Sequence, residues 1–101
     1  MTTKMRVAAV QDSPAFLDRA ATIEIVRARI AEAGAGDADL IVFPEVFISG
    51  YPVWLDNTNS SAWEDPAQQE TFARYLDQSV DLSGDEFGQV VDDVRDTGAF
   101  T

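Results

Sequence analysis

The carboxylate with most chemistry to offer is Glu45, planted beyond the apolar run Asp39-Leu40-Ile41-Val42-Phe43 and the proline that stops it, Pro44. Ligands of open α/β sheets gather at the carboxyl ends of strands. Pro44 cannot donate to a sheet ladder and fixes its own φ, so it both ends the strand and helps hold the next residue in one orientation. Apolar surroundings there would push a carboxylate towards the range useful to a general base. Gly50 can take backbone conformations closed to other residues, which allows a sharp turn beside the site. On residue chemistry alone, a general base and a plain surface carboxylate at a strand end are equally good readings of Glu45.

The sequence contains no cysteine and no histidine. Disulfides, thiolate metal sites, thiol or imidazole nucleophiles and imidazole bases are thereby excluded from it. Chemistry must rest on carboxylates, hydroxyls or Lys4, the only lysine. Tyr51, Trp54 and Trp63 are the residues that could line an apolar pocket for a substrate's organic group, against the plainer reading that they pack a loop onto the sheet. Asp56, Asp65, Asp92 and Asp93 read as helix caps or solvated face. No metal site and no cofactor is expected.

The elements that must position Glu45 follow from patterning. Met5-Arg6-Val7-Ala8-Ala9-Val10-Gln11 is a short apolar run closed by the turn signal Asp12-Ser13-Pro14, and it reads as a buried strand. From about Asp18 to Ala35, Thr22, Ile23, Val26, Ile30 and Ala33 recur near the helical period, and Gly34 and Gly36 mark the end. The run 39–43 is then a second strand, which makes a βαβ unit. Neither strand alternates with polar residues, which suits parallel strands covered on two faces. Residues 46–64 form a long loop of the kind that often lines binding sites. A helix capped by Asp65, with Pro66 first and Gln68 at capping-box spacing, should present Phe72, Tyr75, Leu76 and Val80 on one face. Ser83 with Glu86 repeats the capping box ahead of Phe87, Val90, Val91 and Val94, and that helix should end near Gly98. Ala99-Phe100-Thr101 begins a third strand.

A chain of 101 residues with 46% hydrophobic content has room for one small domain. Eighteen acidic against seven basic residues give a formal charge of -11, a field that repels phosphate backbones and anionic membrane surfaces. Neither nucleic acid nor a membrane is expected as a partner. No run approaches the roughly 18 apolar residues of a membrane span, and the N-terminus leads straight into the first strand, so a cytoplasmic location is expected. A dinucleotide-binding βαβ unit is disfavoured because residues 11–18 contain no glycine to cradle a phosphate.

The stretch from Leu40 to Pro52 resembles the first signature of the nitrilase, or carbon-nitrogen hydrolase, family, in which a hydrophobic strand leads to Phe-x-Glu and then to Gly-Tyr-Pro. Phe43, Glu45, Ile48, Gly50, Tyr51 and Pro52 fall on that pattern, and Val7-Ala8-Ala9-Val10-Gln11 with Pro14 is similar to the family's opening strand. Asp37 departs from it, standing where glycine is usual; Gly36 just before it suggests a local shift of the turn.

The resemblance implies an α/β fold, the N-terminal portion of an α-β-β-α sandwich, with residues 1–101 a partial domain of βαβ and two helices truncated at the third strand. That is about the first third of a full-length member. It further implies that Glu45 is the base for a cysteine supplied, with a lysine, from further along the chain. In the family that thiolate attacks a nitrile to give a thioimidate, and water releases ammonia and the acid. The implied partner is a small-molecule nitrile or amide, and the implied full-length assembly a homo-oligomer. Alternatives are an amidase or carbamoylase of the same family, and a non-catalytic fragment that binds a longer relative. Without the second sheet of such a sandwich, Val7, Ala9, Ile41 and Phe43 are expected to meet water on one face.

Overall fold

The structure is a computed structural model that describes residues 3–54 and 64–101. Trp63 and Asp56 lie outside the described residues. Strand β1 (Val7–Ala9) pairs in parallel with β2 (Leu40–Val42), with Val7 opposite Leu40, Ala8 opposite Ile41 and Ala9 opposite Val42. Single bonds extend the pairing at both ends, from Asp39 N–H to the Arg6 carbonyl and from Val10 N–H to the Val42 carbonyl, each 2.8 Å. On the other edge of β2, Ile41 N–H donates to the Phe100 carbonyl (2.7 Å) and Phe100 N–H to the Asp39 carbonyl (3.0 Å). The strand expected at 99–101 is thus present as a parallel bridge between Leu40 and Phe100, and β2 is the middle rung.

Helix α1 (Arg19–Ala35) starts where its cap requires: the Asp18 side chain accepts the Ala21 N–H at 3.0 Å, occupying an otherwise orphaned donor. Thr22, Ile23, Val26 and Ile30 are its buried residues. Thr22 is the one buried polar residue among those described; its hydroxyl, within 2.9 Å of the Asp18 carbonyl and 3.0 Å of the Ala15 carbonyl, shares one proton between them and accepts the Ala15 N–H. The end of α1 corrects the reading of Asp37. Gly36 stays at φ -87° as the C-cap, and the left-handed residue is Asp37 itself, at φ 57°. The turn has not shifted to the earlier glycine; an aspartate, which tolerates this region better than most side chains, occupies the glycine's place.

Helix α2 (Pro66–Asp77) is capped by Asp65, whose carboxylate accepts the Ala67 N–H at 2.9 Å, with Pro66 in the first turn. The shared apolar face expected on it is only partly assembled. No residue of α2 is buried, and Leu76 is 64% exposed. Tyr75 and Phe72 are occupied instead by ring contacts with Trp54.

Helix α3 (Asp85–Thr97) lacks the capping box expected from Ser83 and Glu86; its N-cap is Gly84, with no side-chain cap. Both partners are engaged elsewhere. Ser83 donates its N–H (2.9 Å) and hydroxyl (2.7 Å) to Asp81, and Glu86 pairs with Arg19 at 3.3 Å. Gly98, at φ 73°, ends the helix in the left-handed conformation that glycine favours.

Helices α1 and α3 lie side by side in the same direction, as three contacts spaced along both of them require. Arg19 meets Glu86 near their starts, Arg27 Nε reaches Asp93 at 2.6 Å in the middle, and Gly34 abuts Thr97 at their ends. Beneath them lies the core of Ile23, Val26, Ile30, Ala38, Ile41, Phe47 and Val90. Ala8 and Ile41 therefore form the covered face of the sheet. Ile41 is 1% exposed, so it does not meet water as expected, and Phe43 is half-buried against the core. The open face is made by the residues of opposite parity, Val7, Ala9 and Val42, with Val7 52% and Val42 45% exposed.

Candidate active site

Because β1 and β2 run in parallel, both deliver their C-terminal neighbours to the same rim of the sheet. Two carboxylates arrive there, Asp12 beyond β1 and Glu45 beyond β2. Asp12 is engaged: Arg29 Nε donates to it at 2.8 Å and the Ser13 N–H at 2.7 Å. The Arg29 bond, followed by that of Ser13, holds the Asp12 carboxyl below its ordinary value. Glu45 is exposed and has no hydrogen-bond or ion-pair partner among the described residues. Of the two, it is the carboxylate available to an incoming group. The apolar enclosure expected around it is not supplied by the described residues. Lys4 lies beyond the opposite rim, where it lines a shallow hollow with Arg6, Asp37 and Asp39.

The segment carrying Glu45 bends sharply. Phe43 is half-buried, Pro44 and Glu45 face solvent, and Phe47 turns back into the core at 6% exposure, its ring centroid 5.6 Å from that of Phe43. Between them Val46 sits at φ 49°. Its carbonyl accepts the Gly50 N–H at 2.7 Å and the Ser49 hydroxyl at 3.4 Å, and Ser49 Oγ in turn accepts the Tyr75 hydroxyl of α2 at 3.4 Å. Gly50 is buried at φ 79°; an added Cβ would have ordinary clearance, 3.9 Å from Pro14. The demand for glycine there comes from its backbone angle.

The other two site residues named from sequence part company. Tyr51 is 61% exposed just past the bend. Trp54 stands in an aromatic cluster, 5.2 Å from Tyr75, 6.0 Å from Phe72 and 6.4 Å from Phe16, with the rings edge-on. Neither lines the apolar groove of about 510 Å³ that opens between the bend and α3, bounded by Pro44, Val46 and Phe47 on one side and Phe87, Val91 and Val94 on the other. Sequence reasoning gave no part in the bend to Val46 or Ser49, and placed Tyr75 only on a helix face. A valine carries no sign of left-handed geometry, and the tie between Ser49 and Tyr75 spans residues far apart in the chain.

Residues 6–98 match the carbon-nitrogen hydrolase family. With the signature carboxylate at the carboxyl rim of a parallel sheet, the chain belongs to that family. It is 38% identical over 88 residues to an arylacetonitrilase of Aspergillus oryzae, covering 87% of this chain and 24% of that protein. It is 37% identical over 102 residues to a nitrilase of Pseudomonas syringae pv. syringae, covering 99% of this chain and 28% of that protein. An aliphatic nitrilase of Rhodococcus rhodochrous is 36% identical over 98 residues, covering 94% of this chain and 25% of that protein. The chain thus spans about a quarter of the length of these relatives, less than the third expected from the signature.

Proposed function

We propose that this chain is the base-bearing segment of a nitrile-hydrolysing enzyme, with Glu45 the general base. The observation that carries the reading is the position of Glu45, exposed and uncommitted at the carboxyl rim of the sheet, within a stretch that matches the family. In the proposed reaction Glu45 takes the proton of a cysteine thiol, the thiolate adds to the nitrile carbon, and water then releases ammonia and the carboxylic acid. The cysteine and an oxyanion-stabilising lysine must come from outside these residues, since the sequence has no cysteine and its single lysine lies beyond the opposite rim. Nitriles are favoured over amides because the relatives named above are nitrilases. Tyr51 and Trp54 are proposed to contact the substrate's organic group. The complete enzyme is proposed to be a cytoplasmic homo-oligomer acting on small molecules.

The test is to join the chain to the remainder of the Pseudomonas syringae nitrilase and to measure ammonia release from a panel of nitriles. The hybrid should be active, and Glu45→Gln should lower turnover by at least about 100-fold while nearly preserving shape. Near-normal turnover in that variant would remove Glu45 from the role. The 101-residue chain by itself should release no ammonia above its own Glu45→Gln control, because a carboxylate without a thiol activates water only weakly.

A further inference from the structure

Val46 is a β-branched residue at φ 49°, in a region such side chains almost never adopt. Conformations of this kind persist only where the surroundings over-determine them, and they cluster at functional sites. The constraints here come from both sides. Pro44 fixes its own φ and drives Phe43 towards extended geometry. Phe47 is anchored in the core, and the Val46 carbonyl is held by the Gly50 N–H at 2.7 Å and by Ser49, itself tied to α2 through Tyr75. Val46 is 44% exposed, so core packing does not account for a valine at this backbone angle. A glycine would accept the angle without strain, but it would also sample others and let the preceding residue swing.

We infer that Val46 is a positioning residue for Glu45: its locked left-handed bend sends the carboxylate outward while Phe43 and Phe47 turn inward. The inference rests on the reading of Glu45 as the base. The measurement is ¹⁵N relaxation on the 101-residue chain, its Val46→Gly variant and its Val46→Asn variant, alongside urea unfolding of each. In the unaltered chain Val46 should show left-handed Cα and Cβ shifts, with Glu45 and Phe47 amide order parameters near the rigid value of about 0.85. In Val46→Gly those order parameters should fall below about 0.6 while the urea midpoint holds or rises, because the strain has gone. Val46→Asn, which tolerates the left-handed region, should restore the order. In the hybrid enzyme Val46→Gly should lower kcat about tenfold and leave KM within about twofold.

Unchanged order at Glu45 in Val46→Gly overturns the inference, as does joint loss of stability and activity, the mark of a merely structural role. Should Val46→Gly fail to fold, Val46→Asn decides: retained order supports the bend, and extended shifts with lost order reject it. An inactive hybrid with an ordered Glu45 would reject the proposed function alone. An active hybrid indifferent to Val46→Gly would reject this inference alone.

Discussion

Asp37 is the departure from the family signature whose consequence is easiest to measure. A non-glycine residue in the left-handed region costs on the order of 1–2 kcal/mol, somewhat less for aspartate, whereas glycine avoids that strain and loses about 0.5–1 kcal/mol through its greater freedom when unfolded. Asp37→Ala should therefore destabilise the chain by about 1 kcal/mol, while Asp37→Gly should be neutral or slightly stabilising, both read from urea midpoints. The contact with Arg6 does not disturb this comparison, since it is 4.0 Å long with side chains 65% and 91% exposed and contributes little. The strand that ends before Glu45 was legible from sequence because Pro44 and the apolar run are local signals. The state of Asp12, already committed to Arg29, was not, because that pairing joins a loop to a helix distant in sequence.

At the scale of elements, Gly34 sets how closely α1 and α3 approach. Replacing a helical glycine by alanine ordinarily stabilises by about 0.5–1 kcal/mol. Here the new methyl would lie 2.6 Å from Thr97 Cγ2, so the sign should reverse. Gly34→Ala should cost about 1–3 kcal/mol as an overpacked contact. Thr97→Ser removes the opposing methyl but keeps the hydroxyl that donates to the Val94 carbonyl and accepts the Ala99 N–H. The double variant should therefore recover most of the loss. Acid should loosen the same layer. Asp12 and Asp81 are both held below the ordinary 3.8, Asp12 chiefly by Arg29 and Asp81 chiefly by the Ser83 hydroxyl. A depressed folded value means that their stabilisation is complete above the unfolded value and is lost as pH falls through the folded one. Stability should thus decline below about pH 4, less steeply in an Asp12→Asn, Asp81→Asn variant. The strands, α1 and the Asp65 cap were readable from periodicity and caps. The capping box of α3 misled because Glu86 had a charged partner in Arg19, which no local pattern discloses.

For the whole molecule, the decisive features are a sheet covered on one side and a strong negative charge. Which face stays open could not be read from strands without alternation; it is set by the parity that brings Ile41 under α1. Val7, Val42 and Phe100 leave apolar surface in water, Phe100 being 78% exposed. Each such exposed side chain forfeits up to about 1.5–3 kcal/mol of burial. The isolated chain should therefore bind a hydrophobic dye. Its charge of -11 opposes self-association at low salt, but screening shortens that repulsion to about 10 Å at 0.1 M. Sizing should accordingly show larger species as salt is raised, and a dye-silent monomer at low and high salt alike would mean that the open face is closed in some other way.

The middle position of β2 gives Glu45 an unusual root. The Ile41 amide is bonded to Phe100, its side chain is 1% exposed, and β1 closes the other edge. The bond to Phe100, exposed next to the last residue of the chain, should fray first, while the parallel pairing with β1 lasts longer. A carboxylate open to water is thus suspended from a strand whose lasting partner is β1, so a fluctuation strong enough to displace its anchor must first break that parallel pairing.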